Sequence, residues 1–253
     1  MKVLVADNLS SLGVDILKQE SGIDVDVNTG LPKEELIKII SSYDGLIVRS
    51  ATKVTSDVIE VATNLKVIGR AGIGVDNIDV AAAGKKGIIV MNTPEGNVIT
   101  TAEHAMALML SMSRNIPQAR SMLKDQKTWA PKKFMGKELH CKTLGIVGLG
   151  RIGTIVAHRA KGFHMKVLVH DPFISKEYAE KVGVEVVDLP ELLKQSDYLS
   201  LHTPSLDGKP LLSTKEFSMA KPGIRIVNCA RGNLIDESAL IEAIKTKQVA
   251  QAA

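Results

Sequence analysis

Aromatic side chains are scarce in this chain: Phe, Trp and Tyr together make up 3% of its 253 residues. Its cores must therefore be aliphatic. A surface that stacks nucleic-acid bases also needs aromatics beside a basic cluster, and the sequence offers neither. The net charge of +4 is mild, and Lys132-Lys133 is the only notable basic pair near a loop. Nucleic acid is thus not an expected partner. Cysteine is scarce too. Cys141 and Cys229 form no CxxC pair and no disulfide framework, which fits reduced thiols in a cytoplasmic protein. No apolar run approaches the ~18 residues of a membrane span, so no membrane partner is expected. Met1 to Asp7 has only a short apolar run before a charge and reads as a first β-strand rather than a signal peptide.

What is present is a regular alternation. Hydrophobic residues make up 45% and charged residues 24%, a globular composition. Short apolar runs at Val3–Ala6, Val25–Val27, Leu46–Val48, Val67–Ile68 and Ile88–Met91 are separated by helical patterns near Val14–Glu20, Lys33–Ser41, Ser56–Thr63 and Asn77–Lys85. Such alternation predicts a parallel sheet wrapped by helices. A turn-rich break follows at 92–97. Thr100-Thr101-Ala102-Glu103 then reads as a capping box opening a long helix. Ala105, Leu108, Met109 and Met112 lie on one face of it, widened by Met106 and Leu110, and Pro117 kinks or restarts it. Further strands are predicted at Val184–Val187, Tyr198–His202 and Arg225–Ala230, with a last helix from about Glu237 to Gln248.

The most specific stretch runs from Thr143 to Pro172. An apolar run leads into Gly148-Leu149-Gly150-Arg151-Ile152-Gly153, then a helical pattern, a second apolar run and Asp171. This is strand, glycine turn, helix, strand and acid in one βαβ unit, the signature of a dinucleotide site. Gly148 permits the tight turn, Gly150 lets a pyrophosphate approach the backbone, and Gly153 lets the helix pack against the strand. The helix N-terminus offers unpaired N–H groups to the phosphates. Asp171 follows at about the ~20-residue interval where a carboxylate accepts from the ribose hydroxyls, favouring NAD over NADP. A glycine turn without a ligand would leave Asp171 unexplained.

Ligands of open α/β sheets collect beyond the carboxyl ends of strands. The candidates there are Arg49-Ser50 and the segment Arg70 to Gly74 in the first half, and His202-Thr203-Pro204 and Cys229-Ala230-Arg231 in the second. The loop Gly72-Ile73-Gly74 presents successive amides suited to a carboxylate. Arg49 and Arg70 add fork-shaped donors. Arg231, between a strand and a glycine, is placed to bind a substrate carboxylate and polarise an adjacent carbonyl. Surface ion pairing is the alternative for Arg49 and Arg70, and a structural strand-end role is the alternative for Arg231.

With VIGRAGIGVDNID (67–79), VMNTPEGN (90–97), GIVGLGRIG (145–153), LHTP (201–204) and VNCARG (227–232) in that order, the chain resembles the D-isomer-specific 2-hydroxyacid dehydrogenases. LIVRSATKVT (46–55) and KKFMGKEL (132–139) narrow the likeness to members that oxidise D-3-phosphoglycerate to 3-phosphohydroxypyruvate. The resemblance implies two Rossmann-like parallel-sheet domains: a flavodoxin-like substrate-binding domain over 1–97 and an NAD-binding domain over 98–253. It implies Arg231 as the catalytic arginine. Substrate would be held by Arg49, Ser50, Arg70, Gly72, Ile73, Gly74 and Asn97. The coenzyme would be held by Gly148, Gly150, Arg151, Ile152, Gly153, Asp171, Pro172, His202, Thr203, Pro204, Cys229, Ala230 and Arg231. No metal is implied. A homodimer or higher homo-oligomer is expected, with the Met-lined helix face as its interface or as core.

The family's reaction also needs a histidine base oriented by a glutamate, and both would fall after Ala253. The chain is therefore expected to be a piece of a longer enzyme, with the C-terminal part of its fold missing and the sheet edge after Arg225–Ala230 unpaired. None of His104, His140, His158, His164, His170 or His202 replaces the base. Losing a general base costs about 10² to 10⁴ in rate. A reductase of glyoxylate or hydroxypyruvate, and a non-catalytic NAD(H)-binding corepressor-like protein, are the alternatives.

Overall fold

In a computed structural model describing residues 1–205 and 208–253, the alternation resolves into two compact units, Met1–Asn97 and Val98–Ala253. The first contains β1 (Lys2–Val5), α1 (Ser11–Gln19), β2 (Asp24–Val27), α2 (Lys33–Ile39), β3 (Gly45–Val48), α3 (Ser56–Val61), β4 (Val67–Arg70), α4 (Val80–Lys85) and β5 (Ile89–Asn92). Its strands are all parallel in the order β2-β1-β3-β4-β5, the flavodoxin-like winding. Leu4, Leu46 and Ile68 from the strands and Leu36, Ile40 and Ile59 from the helical segments build its core.

The second unit begins with α5 (Val98–Ser113) and α6 (Ile116–Asp125). It continues through β6 (Thr143–Val147), α7 (Arg151–Gly162), β7 (Lys166–His170), α8 (Lys176–Val182), β8 (Glu185–Val186), α9 (Leu189–Gln195) and β9 (Tyr198–Leu201). It closes with α10 (Thr214–Met219), β10 (Ile224–Asn228), α11 (Glu237–Lys245) and β11 (Val249–Ala252). All strands are parallel in the order β11-β10-β9-β6-β7-β8, the doubly wound Rossmann order with its switch point between β6 and β9. Successive strand residues point to opposite faces. Leu144, Ile146, Val167, Val169, Tyr198 and Val227 join α5 and α7 in one core, while Leu168, Leu199, Leu201 and Ile226 join α9, α10 and α11 in the other. Burial on both faces is why these strands read as unbroken apolar runs.

Several expectations are corrected. The edge of β10 is not left bare, because β11 pairs with it in parallel; Val249 is fully buried, and the Ala253 amide and carbonyl extend the ladder to Ile226 and Asn228. Four residues are enough for this ladder. The helix expected to open at a Thr100 box starts at Val98, which is buried, so both threonines lie inside its first turn. The helix predicted from Asn77 begins at Val80, capped by the Asp79 carboxylate accepting from the Ala82 amide at 2.9 Å. Pro117 restarts rather than kinks: α5 ends at Ser113, Asn115 adopts φ 52°, and Pro117 occupies the first turn of α6, where its missing N–H costs nothing.

The methionine face of α5 is core, not interface. Met106, Met109 and Met112 are buried against α7 and the β6–β7 strands within one chain. The Ser113 hydroxyl, which donates to the Met109 carbonyl at 2.6 Å, lies 3.0 Å from the buried Tyr198 hydroxyl and ties α5 to β9. Met109→Ala should lower unfolding free energy by about 2–5 kcal/mol. It should leave the oligomeric state unchanged, as read by urea titration and light scattering.

Candidate functional site

Register brings the second unit's predicted residues into one row. His170, Val147, Leu201 and Asn228 are partners across β7, β6, β9 and β10. The next residue on each strand is therefore Asp171, Gly148, His202 and Cys229, side by side at the carboxyl ends. Four separate sequence segments meet there because parallel pairing aligns strand ends.

The glycine turn is closed on two sides and open on the third. Gly148 has φ 92°, and a Cβ there would stand 2.7 Å from the His202 carbonyl oxygen. A Cβ on Gly153 would stand 2.1 Å from the Gly148 carbonyl oxygen, so α7 sits directly against the turn. Around Gly150 nothing lies within 4 Å of such an atom. Gly150 also caps α7, and Arg151, Ile152 and Gly153 form its first turn. The orphan amides and positive dipole end of a 12-residue helix thus face open space. These features fit the diphosphate of a dinucleotide.

Asp171 is anchored before any ligand arrives. One carboxylate oxygen accepts from the Leu149 amide at 2.8 Å and the other from the Phe173 amide at 2.9 Å. A carboxylate has about four acceptor positions, so each oxygen can still take a ribose hydroxyl. Pro172 follows, exposed.

His202 continues the ladder, its amide donating to the Val147 carbonyl at 2.8 Å, and its ring Nε2 lies 2.8 Å from the Ser200 hydroxyl. Burial pushes its pKa down to about 4, so the ring is neutral at neutral pH. Thr203 follows against Gly148, and Pro204 is exposed. Cys229 is half-buried, and burial raises its thiol pKa. Arg231 is shaped by Asn228, whose side chain accepts from the Ala230 amide at 3.0 Å and donates to the Arg231 carbonyl at 2.8 Å. The Arg231 guanidinium folds back to donate to the Ala230 carbonyl at 3.0 Å.

In the first unit, Arg49 and Ser50 follow β3, and Arg70 ends β4, so these groups share the carboxyl ends of adjacent strands. Sequence reasoning missed the residues that hold them. Asp7, buried after β1, accepts from the Arg49 amide at 2.6 Å, the Thr52 amide at 3.2 Å and the Thr52 hydroxyl at 2.8 Å. Burial alone would raise its pKa, but these bonds outweigh it and hold the carboxyl below its ordinary range. From the other side the Asn77 amide donates to the Arg49 and Thr52 carbonyls, both at 2.8 Å. A polar residue next to an apolar run was the available signal. The Arg49 guanidinium itself reaches the Asn8 carbonyl at 3.2 Å.

Arg70 curls over Gly72. A Cβ on Gly72 would overlap the guanidinium at 1.5 Å, and φ there is 155°. Nε of Arg70 is buried and has no hydrogen-bond partner among the described residues. Ile73 and Gly74 complete the loop, pinned where the Asn92 amide donates to the Ile73 carbonyl at 2.7 Å. Asn97 is the exposed last residue of this unit.

Residues 106–253 match the profile of the D-isomer specific 2-hydroxyacid dehydrogenase family, NAD binding domain. The chain belongs to this family. It is 49% identical over 253 residues to a D-3-phosphoglycerate dehydrogenase of Synechocystis, covering all of this chain and 45% of that protein. It is 51% identical to one of Archaeoglobus fulgidus, covering all of this chain and 48% of that protein. The chain thus spans just under half the length of these curated relatives. Among solved structures it is similar to the TT0316 protein of Thermus thermophilus, with TM-score 0.88 and 36% identity over 97% of this chain and 78% of that one. It is also similar to the D-lactate dehydrogenase of Aquifex aeolicus complexed with NAD and lactic acid, with TM-score 0.86 and 27% identity over 100% and 75%.

The site's pH response follows from His202. Its folded pKa, about 4, lies below the ordinary histidine value of 6.5, so the unfolded chain binds the proton first. Stability from the neutral ring is complete above 6.5 and drains as pH falls toward about 4. Urea midpoints of the wild type should fall across that window more steeply than those of His202→Gln.

Proposed function

We propose that this chain is the coenzyme- and substrate-holding part of an NAD-dependent dehydrogenase that oxidises D-3-phosphoglycerate to 3-phosphohydroxypyruvate. The observation that carries the reading is the aligned row Asp171, Gly148, His202, Cys229 with open space at Gly150. Residues 1–97 serve as the substrate-binding domain and 98–253 as the NAD-binding domain. The ~50% identity to several D-3-phosphoglycerate dehydrogenases supports that substrate over glyoxylate or hydroxypyruvate.

NAD, when bound, supplies the hydride acceptor. The amides of Gly150 to Gly153 hold its diphosphate, and Asp171 holds its adenosine ribose and disfavours a 2′-phosphate by charge repulsion. Pro172, Thr203, Pro204, Cys229 and Ala230 line it. Arg231 binds the substrate carboxylate and the oxygen that becomes a carbonyl, stabilising charge as it develops. Arg49 with Ser50, Arg70, the Gly72–Gly74 amides and Asn97 take the remaining anionic groups. The Arg70 Nε, without a partner among the described residues, is a donor available to one of them. His202, with a pKa of about 4, is too weak a base at neutral pH to take the hydroxyl proton. A cytoplasmic location fits the free thiols of Cys141 and Cys229.

The decisive assay is NAD reduction by the full-length protein with D-3-phosphoglycerate. Arg231→Lys should cut kcat/KM by about 10² to 10³ while NADH affinity changes little. No hydride transfer to any 2-hydroxy acid rejects the reading.

A homodimer is part of this proposal, and α6 with the segment after it is the face that supports it. The helix has no buried residue, Ile116 and Leu123 are about half exposed, and Trp129 and Met135 are 79% and 81% exposed. Large apolar side chains exposed along one segment fit an interaction surface. The double substitution Leu123→Glu with Trp129→Ser should shift the mass in solution toward the monomer. An unchanged mass would remove this face from the assembly.

A further inference from the structure

A polar cavity lies at the opposite end of the NAD-binding sheet. It occupies about 350 Å³ at the amino ends of β6, β9 and β10, beside β11. Four cations line it: Lys137, Lys142, Lys221 and Arg225. Its one acid, Asp197, is already engaged, accepting from Lys221 Nζ at 2.7 Å and from the Thr143 amide at 2.9 Å.

Lys142 shares the charge of that carboxylate without bonding to it, and Lys137 and Arg225 make no ion pair among the described residues. Arg225 donates only through Nε, to the Gln251 side chain at 3.1 Å, and its guanidinium lies 5.8 Å from the centre of the buried Tyr198 ring. These contacts hold the planar fork in place. Its terminal NH2 groups, and the ammonium groups of Lys137 and Lys142, have no hydrogen bond or ion pair among the described residues. Helix carboxyl ends attract lysines, which accounts for cations at this end of an α/β sheet in general. It does not account for these three. Lys142 immediately precedes β6, Arg225 lies inside β10, and Lys137 sits in the irregular segment before β6. Four cations against one carboxylate leave excess positive charge around one cavity, and a multivalent anion relieves it.

We propose that this cavity binds a phosphate group, either free inorganic phosphate or that of a small phosphomonoester. The apolar parts of Pro222, Ile224 and Ala250 in its wall leave room for a carbon skeleton. The site stands on its own residues and does not depend on the coenzyme reading.

Titrating inorganic phosphate, and separately glycerol phosphate, into the isotope-labelled chain at constant ionic strength tests this by nuclear magnetic resonance. The expected result is saturable shifts of the Thr143, Asp197 and Gly223 amides. Lys142→Gln and Arg225→Gln should each weaken binding about tenfold. Lys245→Gln, whose lysine pairs with Glu242 elsewhere, should leave it unchanged. Tighter binding of glycerol phosphate identifies a phosphomonoester site, and tighter binding of inorganic phosphate a free-anion site. The proposal is overturned by shifts that do not saturate, by saturable shifts confined to Gly150–Gly153, or by affinity that survives both substitutions. If Arg225→Gln fails to fold, Lys142→Gln decides alone.

Discussion

The coenzyme half of this protein depends on one close approach, that of α7 to the turn that precedes it. Only a hydrogen on Gly153 allows the helix to lie against the Gly148 carbonyl, where a methyl group would sit 2.1 Å away. That contact aims the helix N-terminus. Gly148 in turn can press against His202 on the neighbouring strand because it too lacks a side chain. The two contacts close the switch point of the sheet and leave open space only at Gly150. A dipole worth roughly half a charge is useful only if it points at a fixed place. Close packing of backbone against backbone fixes it.

Charge around that point is set by desolvation and anchoring. The acid is held by two backbone amides and stays oriented, while the partly buried histidine is held neutral. A charged imidazole beside the turn would compete for the anionic ligand that the helix end attracts. A neutral ring next to the Ser200 hydroxyl instead serves as part of the wall.

The first unit solves a different problem, which is to keep a strand-end loop rigid without a helix behind it. Asp7 takes the donors of residues 49–52 and Asn77 takes the acceptors, so the segment is clamped from both sides. Arg70 is laid over Gly72 in the same spirit, with the missing side chain making room for a guanidinium. Both devices order cationic groups in advance and reduce the entropy lost on binding.

Local pattern was enough for much of this. The strands from Val3 to Met91, the glycine turn at 148–153 and the acid at 171 are legible because period, turn chemistry and spacing are short-range properties. So is Arg231 at a strand end. Other features depend on partners far along the chain. Whether Met109 faced a partner or a core depended on α7 packing over it, and whether β10 had a bare edge depended on Val249 burying itself beside it. Asp7 and Asn77 look ordinary in sequence, since the donors of the one lie 42 to 45 residues away and the acceptors of the other 25 to 28. The sequence by itself determined the element order and the residue types able to hold phosphate and carboxylate groups, because these follow from backbone sterics and side-chain chemistry. Tertiary structure alone decided which of those residues stand in one row, which are clamped, and which cations gather at the amino ends of the strands, because strand register and burial are properties of the assembled sheet.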